Sequence, residues 1–452
     1  MKTLKNIIKV AISNFLNFGS SLIVGFILPT ILSVSEYGYF RQFNLYLTFL
    51  FILNLGFNDG VYIKYGGQNI DSIDKTKVIS EHEFIVIYHL LIALVLALVS
   101  LKFSNIFLSS IFIISFFYLV IGYHQNLLQA LGEFNLFSVV SIFRTVTYFG
   151  LLVICLILPG NGSYYRYILA LIISYILQFA AFEFIFFKKL GTRSIKKNNR
   201  SRISSLFHIG FFILIGNMAS SFIGSVGNWS VNLFMSIENF ARYNFQNSLL
   251  NIFLLIINSI GLVFYNVVIN KGSPNFLIRA KNMCFIIGAL CCLGYFPLAW
   301  IVITFIDKYS STLPILKAIL ISLPVLITIN ILTNNLYKAK KMQKQYFKDS
   351  IIIALIASAI VFSINYFTKS LILTAYSTTV VYFGWYFFLS VYRFKFLEIT
   401  KNELFGTLTF LISFYISTFL DDLILGFFCY LVYCIVLIRF NWKNIKSFLS
   451  FL

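Results

Sequence analysis

LGFNDGVYIKYGG, residues 55–67, closes an apolar run that begins near Phe40. Its last turns hold Asn58, Asp59 and Lys64. Ionisable groups are costly in lipid, and where they occur they mark a pathway, a site or an anchor that snorkels to the interface. Which of these applies depends on where the run ends in the membrane, and so on the number and direction of all the spans.

Of the 452 residues, 59% are hydrophobic, 19% aromatic and only 11% charged, and the mean hydropathy is +0.88. A soluble domain carries about 25% charged residues. Apolar runs near transmembrane length recur from one end of the chain to the other. We read an all-α integral membrane protein with about fourteen transmembrane helices, at 7–32, 40–63, 84–102, 105–130, 136–158, 165–187, 207–235, 242–269, 282–305, 313–337, 350–367, 370–391, 404–420 and 423–440. The first run is too long for a signal-peptide core and lacks a small-residue exit, so it is expected to stay as a span. The six cysteines lie in apolar stretches without metal-ligand spacing and read as buried thiols.

The net charge of +20 suggests nucleic acid at first sight, but the cations sit in short loops between spans. Of the 35 Lys and Arg, 27 fall at the termini and on alternate loops of one side, seven fall on the other side, and Arg144 lies inside a span. So lopsided a split is the positive-inside signature and puts both termini in the cytoplasm. No nucleic-acid partner is expected. Outward loops stay within about ten residues, which leaves no room for an external catalytic domain. Walker A, GxSxG, HExxH and clustered CxxC motifs are all missing, so the chain does not read as an enzyme, and no cofactor or metal is expected.

The longest inward loop, KKLGTRSIKKNNRSRISS (188–205), divides the first six spans from the rest. SEYGYFRQFNLYLTFLFILN (35–54) and IENFARYNFQNSLLNIFLLIIN (237–258) both place an acid, an aromatic residue and an Arg before a span. LLQALGEFNLFS (127–138) likewise takes the place of LYKAKKMQKQYF (336–347). The expected domains are a six-helix lobe at 1–190, a basic linker at 191–206, a second six-helix lobe at 207–392, and two further helices at 393–452. Two pseudo-repeated lobes of this kind enclose a central cavity in many secondary transporters.

Polar residues recur at helical spacing on spans one and two of each half. The stripes are Lys9, Ser13, Asn17 and Ser20; Arg41, Asn44, Thr48, Asn58 and Tyr62; Asn217, Ser221, Gly224, Asn228 and Asn232; and Asn244, Asn247, Asn251, Asn258 and Asn266. Singly, each Asn reads as interhelical glue; together, four stripes at repeat-related positions read as a shared polar cavity. Arg144 stands eight residues beyond Leu136, roughly 12 Å into a hydrocarbon core of about 30 Å. It needs an anionic ligand, water, or a carboxylate such as Glu183 or Asp59. Gly56 and Gly60 form a GxxxG, which predicts close helix packing. Asp59 lies eighteen residues after Arg41, about 27 Å along a continuous helix, so it is expected near the inner face as a gate. Lys64 beyond it reads as an anchor, and Glu183, beside Lys188 and Lys189, as an interface residue. His89, His124 and His208 near the inner ends admit a proton relay.

GFILPTILSVSEYGYFRQFN (25–44) followed by LNLGFNDGVYIKYGG (53–67) resembles the opening of bacterial polysaccharide-unit flippases of the multidrug/oligosaccharidyl-lipid/polysaccharide (MOP) superfamily. The likeness rests on the Tyr37-Gly38 pair after the first span, and on Leu55-Gly56 and Lys64 at the end of the second. LLQALGEFNLFS resembles the small loop after the fourth span. The resemblance implies a transporter of the bacterial cytoplasmic membrane. It would move polyprenyl-pyrophosphate-linked oligosaccharide for O-antigen or capsule assembly by alternating access. It further implies a coupling ion, H+ or Na+, and polymerase and chain-length proteins as partners. Amides and hydroxyls of the stripes suit a sugar, and Arg144, Arg41, Arg242, Lys9 and Lys64 suit a pyrophosphate. The cavity candidates are these cations apart from Lys64, with Asn17, Asn44, Asn58, Asn228, Asn232 and Asn251; Asp59, Lys64 and Glu183 are candidates for gating or coupling. A cation-coupled multidrug exporter of the same superfamily is the alternative, followed by a membrane polymerase or glycosyltransferase.

Overall fold

A computed structural model of the chain describes residues 19–102, 106–191, 200–271, 273–340 and 342–449. Among them the secondary structure is helical throughout, with no strands. The main helices are α1 (Gly19–Ile31), α2 (Val34–Phe49), α3 (Phe57–Tyr65), α4 (Lys75–Lys102), α5 (Ile106–Ala130), α6 (Phe134–Ile157), α7 (Tyr164–Leu190), α8 (Arg200–Phe234) and α9 (Ile237–Lys271). They continue with α10 (Pro274–Phe305), α11 (Asp307–Leu320), α12 (Leu323–Ala339), α13 (Gln343–Thr368), α14 (Leu371–Phe387), α15 (Lys401–Phe419), α16 (Leu423–Phe440) and α17 (Trp442–Leu449). Nine described helices are long and apolar enough to cross a membrane, and eleven if each of two bent pairs counts as one span. The protein is therefore a multi-pass membrane protein, and fourteen spans is an approximate count. The other three expected spans fall on α1, α9 and α15, outside that set. Lys9 and Asn17 lie outside the described residues.

The helix ends follow local chemistry. Ser33 accepts the amide of Glu36 at the start of α2 (3.2 Å), and Ser236 accepts that of Asn239 at the start of α9 (3.4 Å). The two segments expected to be repeats are thus capped by serine in the same way. Asp422 caps α16 by accepting the amides of Ile424 and Leu425. Glu36 also reaches the amide of Tyr164 (2.7 Å), which joins the starts of α2 and α7.

The expected straight span at 40–63 is two helices bent by 62°. The break is Leu55-Gly56. After a short 3-10 turn at Leu50–Asn54, Leu55 (φ 50°) and Gly56 (φ 89°) are both left-handed, which ends one helix and lets another start in a new direction. The 27 Å separation of Arg41 and Asp59 presumed a continuous helix and does not apply. The expected span at 313–337 is likewise broken, by 50° between Leu320 and Leu323, beside Pro324.

The chain divides into two compact units, Met1–Ala219 and Ser220–Leu452. In the first, α3 lies backbone-to-backbone on the early part of α8. A Cβ added to Gly56 would stand 2.6 Å from Gly210 C, one on Gly60 2.0 Å from Leu206 O, and one on Gly210 1.8 Å from Gly56 O. Around this seat Phe57 packs on Phe207 (5.2 Å), Phe84 (5.8 Å) and Tyr123 (6.3 Å). In the second unit, Gly288 of α10 carries the broken α11–α12 segment: its added Cβ would fall 2.3 Å from Pro324 Cα. Helices in lipid gain little from apolar contact as such, so small residues that allow close approach supply the packing energy.

Gly60→Ala and Gly210→Ala are therefore expected to destabilise the protein by about 1–3 kcal/mol or more, since backbone and not a flexible side chain blocks the new methyl. Gly150→Ala, whose added Cβ meets nothing within 4 Å, is expected to be neutral or to stabilise by up to about 1 kcal/mol. Thermal melting of the detergent-solubilised protein, followed by size-exclusion recovery, compares the three.

Candidate functional site

Three polar clusters stand in the first unit, and each is held by several helices. The first forms where α3 ends. Glu81 of α4 has no exposed side-chain surface, yet its Oε1 pairs with Lys64 Nζ (2.9 Å) and Arg202 Nε (3.0 Å). Its Oε2 accepts from Tyr65 Oη (2.8 Å). Lys64 and Tyr65 arrive from α3, Glu81 from α4 and Arg202 from α8. Arg202 also donates to the carbonyl of Lys77 (2.7 Å). Lys64 thus has a partner seventeen residues on, and Glu81 is the buried acid that the sequence reading passed over. In the loop before α4, Asp74 accepts from Thr76 (2.6 Å) and pairs with Lys77 (2.9 Å). The Thr76 hydrogen bond first, then Lys77, hold its carboxyl well below the usual range.

The second cluster lies on α4, α5 and α7. Glu183 Oε1 is 2.9 Å from both His82 Nε2 and His124 Nε2. Glu183 therefore pairs with two histidines and not with Arg144, and it turns inward from the helix end where an interface position was expected. His82 was not singled out in the sequence, because its neighbours are 42 and 101 residues away.

The third cluster surrounds Arg144 on α6. Its guanidinium lies over the Tyr175 ring of α7 at 5.0 Å, a geometry that attracts through the ring quadrupole. Tyr148, one turn along α6, stands close enough to feel the charges of both Arg144 and Arg41. Among the described residues no carboxylate lies within ion-pairing distance of Arg144. Asp59, half-buried on α3, forms no ion pair among them either.

The remaining candidates occupy mixed positions. Asn44 is half-buried and donates to Phe40 O of its own helix (2.8 Å). Asn58 is buried and donates across to Leu119 O of α5 (3.3 Å). In the second unit Asn247 of α9 donates to Asn228 of α8 (3.0 Å). Both Asn58 and Asn228 thus serve as interhelical glue. Asn232 and Arg242 are half-buried, and Arg242 Nε is buried without a hydrogen-bond partner among the described residues. Asn251 is exposed.

Removing Glu81 strands two cations at a buried position, which costs about 3–5 kcal/mol for a buried pair. Glu81→Ala is expected to lower the melting midpoint far more than Lys64→Ala, because Arg202 still satisfies Glu81 in the latter. Equal midpoints for the two variants would remove Glu81 from the centre of the cluster.

No family model matches the chain, and no curated protein matches it. Solved structures do. The chain is similar to the lipid II flippase MurJ in an inward closed conformation, with a TM-score of 0.70 and 15% identity over 96% of this chain and 98% of that one. It is also similar to an inward-facing multidrug resistance MATE family transporter of the MOP superfamily, with a TM-score of 0.63 and 14% identity over 86% and 98% of the two chains. A MOP superfamily transporter from Pyrococcus furiosus, described as having a binding pocket of reversed polarity, gives 0.55 and 12% over 86% and 94%. The chain has the fold of these transporters.

Proposed function

We propose that this protein carries a lipid-linked oligosaccharide, with its pyrophosphate, from the inner to the outer leaflet of a bacterial cytoplasmic membrane by alternating access, for O-antigen or capsule assembly. Arg144 carries this reading: a deep guanidinium faces a tyrosine ring, with no carboxylate at hand among the described residues. In a low-dielectric setting a cation so placed favours an anionic ligand, and Arg matches phosphate oxygens in a bidentate fork. The likeness to a lipid flippase over nearly the whole chain supports the same reading at the level of fold.

In the proposed mechanism Arg144, with Arg41 nearby, meets the pyrophosphate, and asparagines and tyrosines meet the sugar. Both termini would lie in the cytoplasm, with H+ or Na+ as the coupling ion and polymerase and chain-length proteins receiving the product. The multidrug exporter stays as a second reading because the fold is shared with MATE transporters. It would predict deep carboxylates for cationic cargo, and Asp59 is the half-buried acid it would use.

Arg144→Ala, at normal membrane levels, is expected to reduce surface polysaccharide at least tenfold and to make lipid-linked units accumulate on the inner leaflet. Arg144→Lys keeps the charge without the fork and should retain part of the activity. Undiminished surface polysaccharide in Arg144→Ala would remove Arg144 from the mechanism.

A further inference from the structure

The mechanism proposed above gives no role to the side chains clustered on α4, α5 and α7. His82 and His124 each bring Nε2 to 2.9 Å from one carboxylate oxygen of Glu183, and the three atoms lie within 4.8 Å of one another. The His82 and His124 side chains are 5% and 2% exposed, and that of Glu183 is 14% exposed. Aromatic rings hold the imidazoles in place: Phe186 lies 4.3 Å from the His82 ring, and Phe182 stacks on His124 at 5.6 Å. A cavity of about 20 Å³, lined by His124, Phe182, Phe186 and Lys189 among others, adjoins the cluster. That volume admits about one water.

We propose that His82, His124 and Glu183 bind a single divalent transition-metal ion such as Zn2+ or Co2+. Two imidazole nitrogens and one carboxylate oxygen form a donor set that suits this class, whereas Ca2+ and Mg2+ seek oxygen alone. A tetrahedral ion with bonds of about 2.0–2.2 Å spaces its ligand atoms about 3.3–3.5 Å apart. The two 2.9 Å separations therefore need to open by about half an ångström, and the two imidazole nitrogens, within 4.8 Å of each other, need to come to the same spacing. Each Nε2 then presents a lone pair to the ion in place of an N–H to Glu183, the ring proton moving to Nδ1. The single carboxylate charge offsets half of the ion's charge, and a water takes the fourth position; the nearby cavity, lined by His124 but by neither His82 nor Glu183, has room for one. Lys189, which also lines that cavity, is paired with Glu133 at 3.7 Å, so part of its repulsion is compensated. A bound ion would pin α4, α5 and α7 together at one end of the first unit.

This inference concerns metal affinity and does not rest on the transport reading. The full-length protein in detergent, with affinity tags removed and metal stripped by chelator, is titrated with Co2+ and then with Zn2+. The expected result is one equivalent bound, visible absorption of four-coordinate Co2+ that Zn2+ abolishes, and a raised melting midpoint. His82→Asn and Glu183→Gln should each weaken binding at least tenfold. Glu183→Gln keeps a hydrogen-bond acceptor of the same shape, so its metal-free melting should stay near that of the parent and separate ligand loss from misfolding. Failure of the parent to take up a stoichiometric ion overturns the proposal, as does undiminished binding in Glu183→Gln. Melting that shifts with pH in the parent but not in the variants, without Co2+ uptake, would identify a proton-sharing cluster instead and overturn it equally.

Discussion

Contact between two bare stretches of backbone governs the first unit. Gly56, Gly60 and Gly210 bring α3 and α8 so close that any Cβ would collide with main chain. In lipid this is a strong association, because dispersion between closely packed surfaces replaces the hydrophobic drive available in water. The left-handed pair Leu55-Gly56 makes the approach possible by turning the chain through 62°. Once α3 is seated, Lys64 and Tyr65 necessarily arrive at Glu81, and Arg202 on α8 arrives with them. The buried acid then has two cations and a phenol, and its desolvation is offset.

The second unit repeats the principle with other residues. Asp349 of α13 receives a two-pronged Arg393, both contacts at 2.5 Å, together with Tyr337 Oη. Glu403 of α15 receives Lys281 at 2.5 Å and Tyr386. Lys281, 2% exposed, also donates to the carbonyls of Leu397 and Glu398 (2.7 and 3.1 Å). Three times a buried or nearly buried carboxylate is matched by a cation and a tyrosine hydroxyl. Such fully satisfied networks fix helix positions where an apolar contact would permit sliding.

Much of this was legible in the sequence, for reasons that particular residues make plain. The hydropathy runs depend on solvation alone, and they marked out most of the helices because lipid allows no other spanning backbone, although two of the expected spans are bent. The GxxxG at Gly56 and Gly60 announced close packing, although its partner Gly210 lies 150 residues away and could not be named. The break at Leu55-Gly56 was hidden because Leu is an ordinary helix former and only the tertiary seat demands its positive φ. Glu81 and His82 escaped notice for the same reason: an acid and a histidine at a helix start look solvated until α3, α5, α7 and α8 close over them.

The fold is shared with a lipid II flippase and with MATE transporters, so the two readings proposed above are separated by the charge around Arg144 and not by architecture. In the reading proposed above, the arginine on a tyrosine ring is what favours an anionic head group. Reconstitution of the purified protein into vesicles decides this most directly, with a polyprenyl-pyrophosphate oligosaccharide scored by protection from an external glycosidase and a cationic dye scored by efflux. The account predicts movement of the oligosaccharide lipid between leaflets and none of the dye. Dye exchange driven by an ion gradient, with the oligosaccharide lipid left in its original leaflet, would contradict it.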